Sequence, residues 1–137
     1  MGSPRPLTKK QIVDLLAKGQ SLADADMRGI DLAGVCFDEA DLRRVKLADC
    51  NLSRATFRGA DLEAASLWNS DCKDACFDRA NLEEADLDFC NLDGCTFHEA
   101  KIRKAIFPFS RLPLSEVQAS VRTGKRVRME MRALEDE

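Results

Sequence analysis

Residues 31–105 divide into fifteen consecutive blocks of five residues, and this period decides the fold. The blocks read DLAGV, CFDEA, DLRRV, KLADC, NLSRA, TFRGA, DLEAA, SLWNS, DCKDA, CFDRA, NLEEA, DLDFC, NLDGC, TFHEA and KIRKA. The second position, here called the centre, is large and apolar apart from Cys72, and the series extends from Leu22 to Leu112. These 19 centres comprise 11 Leu, 5 Phe, Met27, Ile102 and Cys72.

The fifth position is small, and the first is often Asp or Asn. Among the 17 fifth positions from Ala25 to Ala105 there are ten Ala, three Cys and one Ser. Asp or Asn occupies nine of the 17 first positions from Asp26 to Ile106. An amphipathic helix repeats at about 3.6 residues and a half-buried strand at about 2, so neither explains a period of five. A chain that turns a corner every five residues does. The centre and the small residue two before it then point inward, and the other three residues face solvent. Asp and Asn at the first position are expected to hydrogen-bond the turn backbone.

This pattern over residues 21–112 resembles the pentapeptide-repeat family, whose loose consensus is A(D/N)LXX. The resemblance implies an all-β solenoid, a right-handed quadrilateral β-helix with four repeats per coil and therefore about 4–5 coils. Stacked coils are then spaced like neighbouring strands, about 4.8 Å apart.

Phenylalanines recur at intervals of 20 residues, which independently supports four repeats per coil. Phe37, Phe57, Phe77 and Phe97 are predicted to stack in one column inside the rod as a core ladder, since such rings bury much apolar area. A second column holds Ile30, Cys50, Ser70, Cys90 and Ser110.

Both ends of a solenoid expose core and unpaired backbone, so the flanking segments are expected to cover them. Residues 1–20 form an N-terminal segment with a capping helix over 9–18, because Thr8 is a good N-cap and Gly19 a stop signal. Residues 21–112 form the β-helix. Residues 113–137 form a C-terminal cap or dimerisation segment.

The C-terminal segment leaves two conformations open. Ser115 and Gln118 form a capping-box pattern, which predicts a short helix over about 115–122 that ends near Gly124. Beyond it, Val127, Met129 and Met131 alternate with charged residues, a strand period. A strand over residues 125–134, paired with the last coil or with a second subunit, is favoured over one longer helix interrupted by Gly124.

Composition argues against several classes of function. The net charge is −3, no apolar run approaches the roughly 18 residues of a membrane span, and the start MGSPRPLTKK lacks the apolar part of a secretory signal. The six cysteines lack CxxC spacing, so we expect reduced thiols in a bacterial cytoplasm, with no metal and no cofactor. Cys72 and Cys90, on adjacent coils, are the one pair for which a disulfide stays open. His98 is the single histidine, and a filled rod offers no catalytic pocket, so no enzyme is predicted.

Outward positions carry the candidate interaction site. Trp68, Phe89 and Phe109, with Ile106 nearby, fall on one face of successive coils, which is unusual for a solvated surface. Either the C-terminal segment folds back over them, or they form an interface with a partner protein or a second copy.

A second candidate is an acidic surface between residues 81 and 100, where no Lys or Arg occurs. It is either ordinary solvated charge or an attraction for a basic partner, and the acidic rod makes direct nucleic-acid binding unfavourable. Its members are Glu83, Glu84, Asp86, Asp88, Asp93 and Glu99.

The sequence therefore predicts a non-catalytic protein-interaction scaffold. The resemblance implies two alternatives: a DNA-mimic modulator of DNA gyrase, as in the acidic, rod-like, dimeric quinolone-resistance proteins, and a module of a bacterial secretion system. The chain departs from the quinolone-resistance branch because it is short, has no long loop insertion in its repeats, and carries basic residues along the rod.

Overall fold

The computed structural model describes residues 6–130 as a stack of coils with one helix at each end. Parallel bridges join residues that lie 20 apart, from Asp26 with Lys46 to Asp86 with Ile106. Only one residue of each repeat takes part in a bridge, because the turn occupies most of the other positions. The solenoid is therefore built from single-residue pairings between coils rather than from extended strands.

A tight turn in every repeat produces the corner. The carbonyl of each centre generally accepts the N–H three residues later, as Leu32 does from Val35 at 3.1 Å. The second residue after the centre has a positive φ at all 17 positions from Asp24 to Lys104, of which 13 are not glycine. A positive φ at this position alone defines a type II turn. This turn type is not apparent from the sequence, because glycine occupies only four of the 17 positive-φ positions.

First-position Asp and Asn side chains stabilise these turns, as predicted. In all nine such repeats the side-chain oxygen accepts the N–H of the residue two places later, at 3.0–3.4 Å. The row of carboxylates is thus explained by backbone geometry.

The interior is filled by the centres, of which all but Ile102 are buried. Phe37, Phe57, Phe77 and Phe97 form a column of near-parallel rings with centroid separations of 5.0, 4.9 and 5.2 Å. Phe107 closes the column edge-on, 5.6 Å from Phe97.

The 20-residue register sorts the repeats onto four sides, which are numbered here by their centres. Side 1 has centres 22, 42, 62, 82 and 102; side 2 has 27, 47, 67, 87 and 107; side 3 has 32, 52, 72 and 92; side 4 has 37, 57, 77 and 97.

Helix α1, Lys9–Ala17, lies at the N-terminal end of the stack. Thr8 is its N-cap in a capping box: the Thr8 N–H donates to Gln11 Oε1 at 2.8 Å, and Thr8 Oγ1 accepts the Gln11 N–H at 3.2 Å. Ile12 is fully buried in the core. The Leu7 N–H donates to the carbonyl of Asp26 at 2.9 Å, which ties this segment to the first coil.

Helix α2, Leu114–Thr123, begins one residue earlier than predicted. Its N-cap is Pro113 and no side chain caps it, so the Ser115–Gln118 capping box is wrong. Ser115 lies inside the first turn, two residues after the N-cap position. The helix ends at Gly124 with φ of 79°, a left-handed conformation that excludes one longer helix.

Residues 125–130 run back along the last coil without forming a regular strand, so the strand prediction is wrong for these residues. The Val127 N–H donates to the carbonyl of Cys95 at 2.8 Å and the Gly94 N–H to the carbonyl of Val127 at 2.9 Å. The next contact goes through a side chain, from the Leu92 N–H to Met129 Sδ at 3.0 Å, so no ladder continues. Met131 and the rest of the predicted strand lie outside the described residues.

The C-terminal segment takes the place of a further coil on sides 3 and 4. Besides Leu92 and Gly94, the Phe97 N–H donates to Ser120 Oγ at 2.9 Å and the Glu99 N–H to the carbonyl of Val121 at 2.9 Å. Groups that would otherwise pair with another coil are therefore satisfied. Neither helix is long and apolar enough to cross a membrane.

Candidate interaction surface

Four large apolar side chains lie together on side 2 and form what we call the aromatic patch: Trp68, Phe89, Ile106 and Phe109. Their exposed fractions are 41%, 65%, 48% and 49%. Trp68 meets Phe89 edge-on at 5.6 Å, and Phe89, Ile106 and Phe109 line one groove. The structure thus brings together all four residues that the sequence singled out for an interface.

Phe89 also has an unusual backbone. It occupies the positive-φ position of its turn, with φ of 61°. Its counterparts in the other repeats are Gly, Ala, or polar and charged residues. A bulky aromatic residue is rare in this region and is strained there. The sequence pattern does not indicate this conformation, because glycine fills only four of the 17 positive-φ positions.

The C-terminal end of the patch borders an open groove of about 480 Å³. Its walls mix aromatic rings with polar groups of the last coil. The lining residues are Asp88, Phe89, Cys90, Ile106, Phe107, Pro108, Phe109, Ser110, Arg111 and Met129.

Residues 113–130 do not cover the aromatic patch. They lie against the last coil on sides 3 and 4, through Ser120, Val121 and Val127. The fold-back interpretation is therefore wrong for this part of the segment, and residues 131–137 lie outside the described residues.

The acidic residues of the 81–100 coil do not form one surface. One coil passes over all four sides, so its six carboxylates are distributed around the rod. Asp93 is already engaged, because its Oδ1 accepts the Met129 N–H at 3.0 Å. Glu83 and Glu84 are on side 1, Asp86 and Asp88 on side 2, Asp93 on side 3, and Glu99 on side 4.

Four of the six cysteines act as small core residues. All six are free thiols, including Cys72 and Cys90, and four are buried. Burial raises the pKa of the Cys50 and Cys95 thiols, and a hydrogen bond with Cys90 together with burial raises that of Cys72. Such thiols are poor nucleophiles. Residues 6–130 contain no group of three or more His, Cys, Asp or Glu suited to a metal ion.

His98, the single histidine, is outward and partly covered. Its Nε2 lies 3.6 Å from Glu99 Oε1, an ion pair only when the ring is protonated. Its Nδ1 is buried without a hydrogen-bond partner among the described residues, beside Gly124. The ring therefore packs under the turn that ends α2.

Comparison with known proteins decides the family. Residues 17–47, 46–83 and 80–113 match the family model for pentapeptide repeats, with eight copies. The chain belongs to the pentapeptide-repeat family. No match was found among curated proteins.

Solved structures of pentapeptide repeat proteins are similar to this chain. One from Nostoc PCC 7120 has 29% sequence identity and a TM-score of 0.70, covering 76% of this chain and 88% of that one. One from the Arabidopsis thaliana thylakoid lumen has 31% identity and a TM-score of 0.58, covering 58% of this chain and 55% of that one. This pentapeptide-repeat chain thus spans little more than half of the Arabidopsis protein. These neighbours imply a right-handed quadrilateral β-helix, as did the resemblance of the repeat.

Proposed function

We propose that this pentapeptide-repeat chain is a non-catalytic protein-interaction scaffold that binds a protein partner through the aromatic patch on side 2. The observation that supports this proposal most directly is the joint exposure of four large apolar side chains on one side of the rod: Trp68, Phe89, Ile106 and Phe109. The interior positions are occupied by packing, so recognition falls to the outward positions.

Two physical features support this surface. Trp is among the residues most often found as anchors at the centre of protein interfaces, and Phe is enriched in interface cores. Phe89 keeps an exposed ring at a strained backbone position where the other repeats use glycine, alanine or polar residues. Retaining such strain is typical of binding sites rather than of solvated turns.

The terminal segments have a separate role in this proposal: they act as caps for the 4–5 coils. α1 contributes Ile12 to the core at one end, and α2 contributes Val117 and Ser120 at the other. Caps of this kind prevent end-to-end association of solenoids.

The patch is tested first with a second copy of the chain as the partner, by light scattering at increasing concentration. We expect the parent to dimerise and Trp68→Ala with Phe89→Ala to dissociate at least about 30-fold more readily, because interface anchors contribute about 2 kcal/mol or more. The matched control is Arg54→Ala with Lys73→Ala, two exposed residues on side 3, which should dimerise like the parent.

Fluorescence of Trp68 separates the remaining outcomes. A monomeric parent in which iodide quenches Trp68 would exclude the second copy and leave another protein as the partner. A monomeric parent in which Trp68 is shielded from iodide would mean that the chain covers its own patch, and would contradict the proposal.

Nothing observed in residues 6–130 specifically supports either of the two alternatives that the resemblance implies. A DNA mimic needs a continuous acidic face, and the carboxylates of the 81–100 coil are divided among four sides. Gyrase modulation and a role in secretion are therefore not proposed.

A further inference from the structure

The C-terminal edge of side 1 is left without a backbone partner. In the preceding coil, the Leu82 N–H donates to the carbonyl of Lys101 at 2.8 Å and the Glu84 N–H to the carbonyl of Arg103 at 3.0 Å. One coil later the equivalent donors belong to Ile102 and Lys104, and neither has an acceptor among residues 6–130. An open edge of this kind is a template for another extended chain.

An apolar gap accompanies these free donors. Ile102 is the one centre of the 19 that is not fully buried, whereas Leu82 directly beneath it is fully buried. The C-terminal segment covers the equivalent positions on sides 3 and 4 but does not pair with this stretch. The edge therefore offers both hydrogen-bond donors and uncovered core.

Unpaired cations surround the edge. Lys101, Arg103 and Lys104 are all exposed and form no ion pair within the described part of the chain. The same side does form such pairs nearer its N-terminal end, where Arg44 holds Asp24 one coil away at 2.8 Å. The last repeat of side 1 carries these three cations and no acidic residue, with Glu83 and Glu84 one coil beneath, so the edge is a positive site on a rod that is otherwise acidic.

We propose that this edge binds an extended acidic segment of a partner protein, which adds to side 1 as a partial further coil. One carbonyl of the segment accepts from the Ile102 N–H and the carbonyl two residues later from the Lys104 N–H. The segment residue whose carbonyl accepts from Ile102 also donates its own N–H to the carbonyl of Ala100. Lys101 makes the same pair of bonds one coil earlier, where its N–H donates to the carbonyl of Ala80 at 3.0 Å. Backbone pairing of this type supplies affinity, and side chains supply selectivity.

The molecule already contains an example of this arrangement. On side 3 an extended stretch pairs through Val127 with the backbone of Gly94 and Cys95. On side 1 an apolar residue of the segment covers Ile102, while its carboxylates meet the three cations. A second copy of the chain presenting the same edge would place like charges against each other, which is unfavourable.

The test uses the full chain and two labelled eight-residue peptides, one alternating Glu with Val and the other alternating Lys with Val. Amide hydrogen exchange of the free protein is measured first. We expect the Ile102 and Lys104 amides to exchange at least about 100-fold faster than those of Leu82 and Glu84, because the first pair has no acceptor. Adding the Glu–Val peptide should slow exchange at Ile102 and Lys104 and shift their amide resonances, and the Lys–Val peptide should do neither.

Charge reversal gives the second arm. Lys101→Glu with Arg103→Glu and Lys104→Glu should weaken Glu–Val binding at least about tenfold, and 0.5 M salt should weaken it in the parent. The matched control is Arg54→Glu with Lys73→Glu and Arg79→Glu, which are exposed residues elsewhere on the rod and should leave affinity within about twofold. Slow exchange at Ile102 and Lys104 in the free protein, or equal binding of both peptides, would overturn the proposal. The aromatic patch is untouched by these variants, so the two proposals fail separately.

Discussion

Phe57→Ala is expected to lower the free energy of unfolding by about 3–5 kcal/mol. The ring is fully buried and lies between Phe37 and Phe77, with centroid distances of 5.0 and 4.9 Å. Its removal leaves a cavity in the middle of a column whose neighbours are fixed by the coils above and below, so the site collapses poorly. Urea denaturation followed by circular dichroism measures the change.

Arg58→Ala is the matched control, one residue further along the same turn. The side chain is exposed and its contact with Asp38, at 3.6 Å, is a surface ion pair. We expect a loss of less than about 0.5 kcal/mol, because exposed pairs contribute little. Equal losses for Phe57→Ala and Arg58→Ala would show that the assignment of inward and outward positions is wrong.

Ser120→Ala is expected to destabilise the protein by about 1–3 kcal/mol, a large effect for the loss of one oxygen atom. Ser120 is fully buried, and its Oγ is the acceptor for the Phe97 N–H at 2.9 Å. Without it that donor stays buried and unpaired at the end of the phenylalanine column. Thermal and urea unfolding measure the loss, and hydrogen exchange at the Phe97 amide locates it.

Ser115→Ala is the matched control for Ser120→Ala, because it makes the same substitution in the same helix at an exposed position rather than a buried one. Ser115 is exposed in the first turn of α2 and its side chain does not cap the helix. This substitution should change stability by less than about 0.5 kcal/mol. An effect of Ser120→Ala no larger than that of Ser115→Ala would mean that α2 does not satisfy the last coil.

The repeat could be predicted from the sequence because each position repeats the same physical choice many times. Large centres such as Leu62 must be buried, and fifth-position residues such as Ala60 must be small where the chain turns inward. The 20-residue spacing of the phenylalanines then gave the register, from which the side that carries Trp68 and Phe89 followed. The same pattern of large and small residues in many repeats predicts the fold even where a single repeat would be ambiguous.

The ends could not be predicted in the same way, since each occurs once. Ser115 and Gln118 match a capping pattern, yet the helix begins at Leu114 after Pro113. The alternation around Val127 is typical of a strand, yet Met129 contacts the Leu92 N–H through its sulfur and interrupts the backbone pairing. At the second place a specific tertiary contact decides the conformation, whereas at the first no side chain caps the helix.

Three features of the candidate sites could be recognised only in the folded chain. The left-handed turn at Phe89 is absent from the sequence pattern, because charged residues such as Arg44 and Glu84 occupy the same position without distinction. The acidic stretch from Glu83 to Glu99 is continuous in sequence but encircles the rod, so closeness along the chain did not give one surface. The open edge at Ile102 required knowledge of where the C-terminal segment pairs.

The central claim is that a corner every five residues turns the centre and the small residue inward and leaves three residues in solvent. The six cysteines are natural probes of this claim: Cys36 is exposed and Cys76 partly exposed at first positions, and four are buried at inward positions. Iodoacetamide labelling of the native protein, read by peptide mass spectrometry, should modify Cys36 first and Cys76 more slowly. The buried four should react only on unfolding, and labelling of Cys72 or Cys95 as fast as Cys36 would contradict the account.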